Sequence, residues 1–365
     1  MIYLDYQATT PLAPEAREAM LPWLGGPETK GFANPHSPHR PGRAAAAAVE
    51  VAREKVAALL PEGGRVVFTS GATEAINLAV KGGLQRFDAG SLAVSAIEHA
   101  AVLDCAEAMR ERYATCLLPV NAQGTVPHDI DLPAGTRLLA VMQVNNEIGT
   151  IQPVDAIAKR AREAGALVLC DAVQGAGKIA PPENADFVAI SAHKLCGPKG
   201  IGALWVRDGV ELEPVQHGGG QEQGLRSGTL SPALCAGFGA AAALSMARKD
   251  PDEAHLRDLW RRARGILSRW MLNGSAQERW PGNLNVRLDG LDVARLMSDV
   301  RDVAFSAGSA CAGGSGRPSH VLGALGLTPE QAKGSIRLGF GRYTTINELE
   351  DACARLDAAA LAQGV

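Results

Sequence analysis

The chain reads as an α/β protein, with a large domain on a mostly parallel sheet followed by a smaller α+β unit. Three observations carry this. Short apolar runs alternate with helix-patterned segments through the first two-thirds of the 365 residues. Hydrophobic residues make up 46%, enough for a sizeable core and too many for general disorder. Aromatics are only 4% while glycines number 41, which suits the close backbone approaches of an α/β enzyme better than a β-sandwich.

The elements follow in order. Val66-Val67-Phe68-Thr69 reads as a buried strand ending at Ser70-Gly71, and residues 72–84 then read as a helix. Residues 92–95, 138–142, 167–170, 187–190 and 201–206 are further strand-like runs, with a helical pattern at 154–164. Residues 227–247 carry no charge over a length that could span a bilayer. Their Ala, Gly and Ser content and Pro232 favour a buried interdomain helix instead, and no membrane partner is expected. Past Met246 the pattern changes to a charged helix at 248–269, a strand at 284–288, a helix at 293–300, a strand at 336–340 and a last helix at 347–361. The expected division is a large domain of 13–246 and a small one of 1–12 plus 247–365.

Several function classes lose support. Lys plus Arg number 36 against 39 Asp plus Glu, with no basic half or stripe, so nucleic acid is not expected as a partner. The opening Met1-Ile2-Tyr3-Leu4-Asp5 lacks the basic and apolar regions of a signal peptide. The seven cysteines form no CxxC pair, which suits reduced thiols and a cytoplasmic setting. Neither a GxxxxGK[ST] loop nor a strand-borne GxGxxG occurs. His36 and His39 are separated by Pro38, which breaks helical ligand spacing, and no metal is expected.

Polar clusters at strand ends point to a ligand crevice. Thr69-Ser70-Gly71-Ala72-Thr73-Glu74 is a strand-to-helix turn whose small residues and free amides suit a phosphate, although a plain helix cap accounts for Ser70 or Thr73 equally well. Asp171 closes one apolar run, and Lys194 follows the next within Ser191-Ala192-His193-Lys194. A carboxylate and a lysine at neighbouring strand ends are what pyridoxal 5'-phosphate (PLP) chemistry requires: the lysine forms a Schiff base and the carboxylate keeps the pyridine nitrogen protonated.

Ser191-Ala192-His193-Lys194-Leu195-Cys196-Gly197-Pro198-Lys199-Gly200 closely resembles the cofactor-lysine motif of the cysteine desulfurases, class V members of the fold-type I PLP-dependent transferases. Further matches occur in the same order. They are Tyr3-Leu4-Asp5-Tyr6 with Ala8-Thr9-Thr10, Asn34-Pro35, the 69–74 turn, Glu98-His99, and Val144-Asn145-Asn146-Glu147-Ile148-Gly149 before the lysine. After it come His217-Gly218-Gly219-Gly220, Arg226-Ser227-Gly228-Thr229, Ser306-Ala307-Gly308-Ser309-Ala310-Cys311 and Ser335-Ile336-Arg337.

The resemblance implies a role for each matched position. Lys194 would carry PLP and shuttle the Cα proton, Asp171 would pair with the ring nitrogen, and Gln174 would reach the ring hydroxyl. His99 would stack on the ring and assist proton transfer, with Asn146 also lining the site. Ala72, Thr73, Ser191 and His193 would hold the phosphate, joined by Thr229 from the other subunit of a homodimer. Arg337, with Asn34, would clamp the carboxylate of an L-cysteine substrate, a task suited to the bidentate and permanently charged guanidinium.

Cys311 stands apart from the other cysteines, which read as small buried hydrophobes. Its surroundings, Ala307 to Gly316, contain nothing larger than alanine besides serine and the cysteine itself, a composition expected for a mobile exposed loop that carries a reactive thiol. The resemblance implies that this thiolate takes sulfur as a persulfide and passes it to an acceptor protein, either an iron–sulfur scaffold or another thiol carrier. Val173, Gln143 and Cys196 depart from the family pattern, the last standing where an aromatic is usual, and the chain ends soon after its final helix. The short end puts docking of the cluster scaffold in doubt. Selenocysteine lyase, a class V aminotransferase and a non-catalytic docking partner are the competing readings.

Overall fold

The structure, a computed structural model, describes residues 1–29, 31–308 and 319–365. In chain order, β1 (Ile2–Tyr3), α1 (Pro14–Met20) and α2 (Arg40–Ala57) lead into β2 (Gly64–Thr69) and α3 (Ala72–Asn77). Next come β3 (Gly90–Ser95), α4 (Ala100–Ala108), β4 (Tyr113–Leu118), β5 (Thr136–Met142), α5 (Val154–Glu163), β6 (Leu167–Asp171), β7 (Phe187–Ser191) and β8 (Gly202–Arg207). Two helices, α6 (Pro232–Ala247) and α7 (Lys249–Ile266), are followed by β9 (Met271–Leu272), β10 (Asn283–Arg287), α8 (Val293–Asp299), β11 (Val303–Ala304) and β12 (Ser306–Ala307). The chain finishes with α9 (His320–Ala324), α10 (Pro329–Lys333), β13 (Ser335–Gly339) and α11 (Ile346–Leu361).

The large sheet has seven strands in the order β2-β8-β7-β6-β5-β3-β4. Pairing is parallel from β7 to β4, while β8 runs antiparallel to both β7 and β2. Strands β6 and β7 are buried at every residue, which is why they read as unbroken apolar runs rather than alternating ones. α5 buries Val154, Ile157, Ala158 and Ala161, the spacing of one helical face. α6 packs by smallness instead, since a Cβ on Gly239 would lie 2.8 Å from Ala52 Cα in α2. Among the described residues no helix is long and apolar enough to cross a membrane.

Three details differ from the sequence pattern. The helix expected at 72–84 is α-helical only to Asn77 and widens into a π-helical turn at Leu78–Gly82. β4 was not foreseen, because only its two end residues are buried and an edge strand needs no continuous apolar run. The charged helix expected at 248–269 begins and ends within those bounds, as α7.

A second, four-stranded sheet, β12-β13-β10-β9, packs with α7, α8 and α11 around Trp270, Leu284, Ile336, Leu338, Leu349 and Leu356. The chain's beginning joins it: Leu4 is fully buried in that core, and β1 pairs in parallel with β11. α11 is fixed at its start by a capping box, with Thr345 Oγ1 accepting from the Glu348 amide and Glu348 Oε2 from the Thr345 amide.

The two sheets meet over the carboxyl ends of the large one. Register puts Asp171 beside Met142 on one side and Ala189 on the other, and aligns Thr69 and Ser191 on the two flanks of Gly202. All these strand ends open on one crevice, the expected ligand position in a doubly wound sheet.

Candidate active site

That crevice is a cavity of about 730 Å³. It is lined by ten of the residues singled out in the sequence: Ala72, Thr73, His99, Asn146, Asp171, Gln174, Ser191, His193, Lys194 and Arg337. Asn34 does not line it; that residue is exposed, with Oδ1 accepting from the His36 amide at 2.9 Å. Thr229 is exposed outside it. Cys311 and the loop expected to carry it lie outside the described residues.

The phosphate-like end begins where β2 stops. Glu74 Oε2 accepts from the Ser70 amide at 2.7 Å, and Glu74 is held in turn by Arg226, whose Nε donates to Oε1 at 2.6 Å. This brace turns the backbone into α3, whose first residues, Ala72 and Thr73, line the cavity. Burial works against the charged Glu74 carboxyl, but the bonds from Arg226 and Ser70 outweigh it and leave its pKa lowered. Gly71 is extended, with φ 163°, and a Cβ built on it meets no atom within 4 Å. On its other side the backbone is tight, since a Cβ on Gly202 would lie 2.6 Å from Gly71 C.

Asp171 sits at the inner end. The residue is 5% exposed, and burial pushes its pKa up against the Val173 amide at 3.0 Å and the nearby His99 and Lys194. Behind it, Glu98 is fully buried and pushed up to about 8 by burial and then by the charge of Asp171. Glu98 therefore holds its proton at neutral pH while accepting from the Met142 amide at 2.7 Å. His99 caps α4, its Nδ1 accepting from the Ala101 amide at 3.1 Å, so the neutral ring carries its proton on Nε2.

Lys194 reaches the cavity from the turn after β7. Its Nζ donates to the main-chain oxygens of Gln7 and Ala8, the latter at 2.7 Å. Gln174 Nε2 donates to the same Gln7 oxygen at 3.0 Å. Thr9 Oγ1 contacts His193 Nδ1 at 3.1 Å, and Thr10 Oγ1 donates to the His193 carbonyl at 2.8 Å. Burial and then the charges of Lys194, Lys199 and Lys178 push His193 down to about 4, so its ring is neutral at physiological pH. The Ala8-Thr9-Thr10 motif was visible in the sequence without a role; the structure makes it the brace of the lysine turn.

Arg337 closes the opposite side from β13. Its Nη2 donates to Asp5 Oδ1 at 2.8 Å and Ser306 Oγ at 3.0 Å, and Nη1 to the Asn146 carbonyl at 3.1 Å. Nε is buried with no hydrogen-bond partner among the described residues. A guanidinium in the cavity wall that still carries an unpartnered donor suits a ligand carboxylate.

These residues fit PLP. A buried carboxylate wants a protonated ring nitrogen, the amide-lined turn with open space at Gly71 suits a phosphate, and a lysine amine lies in the same cavity.

Comparison with known proteins agrees over nearly the whole length. The aminotransferase class-V family matches residues 2–351. The cysteine desulfurase IscS of Rickettsia bellii is 41% identical over 368 residues, covering 96% of this chain and 88% of that protein. Among solved structures, a NifS-like protein superposes with a TM-score of 0.88 at 30% identity, covering 100% of this chain and 99% of its own. SspA in complex with cysteine gives 0.82 at 34% identity, covering 94% and 100% respectively. Every residue that lines the cavity falls inside the matched span. The chain belongs to the class-V aminotransferases and, within them, to the cysteine desulfurases.

Proposed function

We propose that this chain converts L-cysteine to L-alanine using PLP, with the sulfur taken up by Cys311 and handed to an acceptor. The observation that carries the reading is the convergence of Asp171, His99, Lys194 and an Arg337 with an open donor on one cavity. What PLP supplies when bound is an electron sink that accepts charge from the substrate Cα and weakens the bond from Cβ to sulfur.

The protein's own groups do the rest. Asp171 holds the positive ring nitrogen, and its burial makes that pairing strong because water cannot compete. Gln174 is assigned the ring hydroxyl and His99 the ring face. The amides of Ala72 and Thr73, with Ser191 and a neutral His193, are assigned the phosphate, together with Thr229 of a second copy in a homodimer. Arg337 orients the substrate through its carboxylate, with Asn34 as a second contact. Lys194 would hold the cofactor through its amine and move the proton at the substrate Cα, and His99 would assist from the other side.

Cys311 is assigned the sulfur. Its thiol and L-cysteine give a Cys311 persulfide and L-alanine, so atoms balance without an external oxidant. The described residues on either side of its segment are tied close to the cavity. The Gly308 amide donates to Ser335 O at 2.7 Å, two residues from Arg337, and Ser319 Oγ donates to Glu147 Oε2 at 2.5 Å, next to Asn146. The persulfide is passed to an iron–sulfur scaffold or another thiol carrier.

The test gives the purified holoenzyme L-cysteine and a reductant and counts alanine and sulfide beside a Cys311→Ala variant. Equal yields from the parent, lost in the variant while the cofactor absorbance stays, support the reading. A variant as active as the parent overturns the role of Cys311 and turns attention to selenocysteine.

A further inference from the structure

A smaller cavity, about 70 Å³, shares Lys194 and Gln7 with the first. Its polar walls include Lys178, Lys249, Arg342, Asp252 and Cys196 besides neutral groups such as Gln7, Thr10 and Ser245, with Trp280 among the apolar ones. A space of that size admits a few waters or one small ion.

Its charge is unbalanced. Among the described residues Asp252 is the only carboxylate on the wall, and both its oxygens are engaged: Oδ2 by Arg342 Nε at 2.7 Å and Oδ1 by Arg248 Nε at 3.1 Å. Arg342 Nη1 is buried with no hydrogen-bond partner. Among the described residues the ammonium groups of Lys178 and Lys249 make no hydrogen bond or ion pair, and Lys178 Nζ instead lies 5.9 Å from the Trp280 ring centre. Cations outnumber carboxylates on this wall and Asp252 is already paired, so the space is complementary to an anion even though the neutral Gln7 Oε1 is a buried acceptor without a partner among the described residues. The thiol does not offset this, because burial raises the Cys196 pKa and keeps it neutral. Cys196 also makes the room, its short side chain projecting from a backbone at φ 64°.

We propose that this cavity binds one small monovalent inorganic anion, of the halide or hydrosulfide kind, between Lys178 and Arg342. Apolar walls supplied by Trp280, Leu256 and Phe340 favour a weakly hydrated ion over sulfate or phosphate, whose water is costlier to strip. The site is independent of the desulfurase reading, since it uses none of the groups assigned to cofactor or substrate except the shared side of Lys194.

Affinity falls as pH rises. Burial and then the charge of Lys194 bring Lys178 down to about 8, so its charge is lost above that pH. The other titratable or charged groups on the wall are Lys194, Lys249, Arg342, Asp252, Tyr6 and Cys196. Burial raises both Tyr6, to about 12, and Cys196, so neither adds negative charge below pH 9.

The experiment titrates the holoenzyme with iodide, a heavy-atom quencher, and follows tryptophan fluorescence. Iodide in the cavity lies against Trp280 and gives a saturable component above the linear collisional one. That component is absent in Trp280→Phe, lost in Lys178→Met and in Cys196→Tyr (which fills the space), and at least threefold weaker at pH 9 than at pH 7. Sodium hydrosulfide and sodium chloride then compete, and the one effective at lower concentration identifies the natural source. Strictly linear quenching overturns the site. So does a saturable component that survives both Lys178→Met and Cys196→Tyr, or one that neither competitor displaces.

Discussion

Buried Arg337 and half-buried Asp5 form an ion pair at 2.8 Å across 332 positions of sequence. The arginine assigned to the substrate is thus pre-set by the N-terminal segment rather than by its own sheet alone. Replacing Arg337 with Ala should lower kcat/KM for L-cysteine at least 100-fold, about 2.7 kcal/mol, within the usual loss for one partner of a buried charge pair. Arg337→Lys should not restore it, because one ammonium cannot serve Asp5, Ser306 and Asn146 and still face a carboxylate. Steady-state alanine formation checks both, and full activity in the Lys variant would rule out a bidentate role.

Glu98 sets a pH dependence of stability. Its folded pKa of about 8 lies above the ordinary carboxyl value of 4.5, so between those pH values the native state holds a proton that the unfolded chain has released. Its contribution is greatest below pH 4.5 and is lost as pH climbs toward 8. Above pH 8, Lys178 acts in the opposite sense, since its folded pKa is depressed. Glu98→Gln should therefore raise the urea midpoint at pH 8 and flatten its fall from pH 5. A parallel curve for both proteins would show that Glu98 does not titrate in this range.

Gly71 offers a test of the phosphate cradle that leaves folding alone. Its backbone is extended and its Cβ position empty, so Gly71→Val should unfold at nearly the parent's denaturant concentration. The added methyls would stand where the phosphate is expected. PLP retention, read by absorbance after dialysis against free cofactor, should drop by tenfold or more. Unchanged retention would move the phosphate away from this turn.

Glu222 and Gln223 both hold left-handed backbone, at φ 52° and 57°. Glu222 repays the strain with two bonds to Arg53, at 2.7 and 2.8 Å, and one from the Phe68 amide at 2.6 Å. Exposed Gln223 makes no such side-chain bonds among the described residues. Gln223→Gly should stabilise the chain by about 0.5–1 kcal/mol, strain relief exceeding the added freedom of the unfolded chain. Glu222→Gly should destabilise it, since the Phe68 amide loses its acceptor and half-buried Arg53 is left with only Glu50 and the Val66 carbonyl. Urea unfolding of the pair separates the two effects.

Much of this was legible in the sequence. Strands β5, β6 and β7 announced themselves because burial on both faces leaves no polar alternation, and Asp171 and Lys194 stand where those runs end. The cofactor face was readable for the same reason: its residues are local to strand ends. Pairings between distant segments were not. Nothing in Asp5 points to Arg337, and nothing in Lys178, a lysine in a glycine-containing turn, tells of a cavity shared with Lys194. The antiparallel run of β8 depends on how the chain re-enters the sheet, which a six-residue apolar strand does not encode.

The N-terminal segment binds the site at many points: Asp5 to Arg337, Tyr6 N to Gly339 O, Gln7 O to Lys194, Thr10 N to His193 O, and Ala13 N to Cys196 O. Seen in the order of synthesis, residues 5–13 leave the ribosome long before the partners they meet. They must wait, unpaired, until the turn at 193–196 and then the strand at 335–339 have been made. The lysine turn can be braced once residues 193–196 exist, but Asp5 and Tyr6 meet Arg337 and Gly339 only after β13 has been made, so a chain cut short before that strand would hold its cofactor lysine without its substrate arginine.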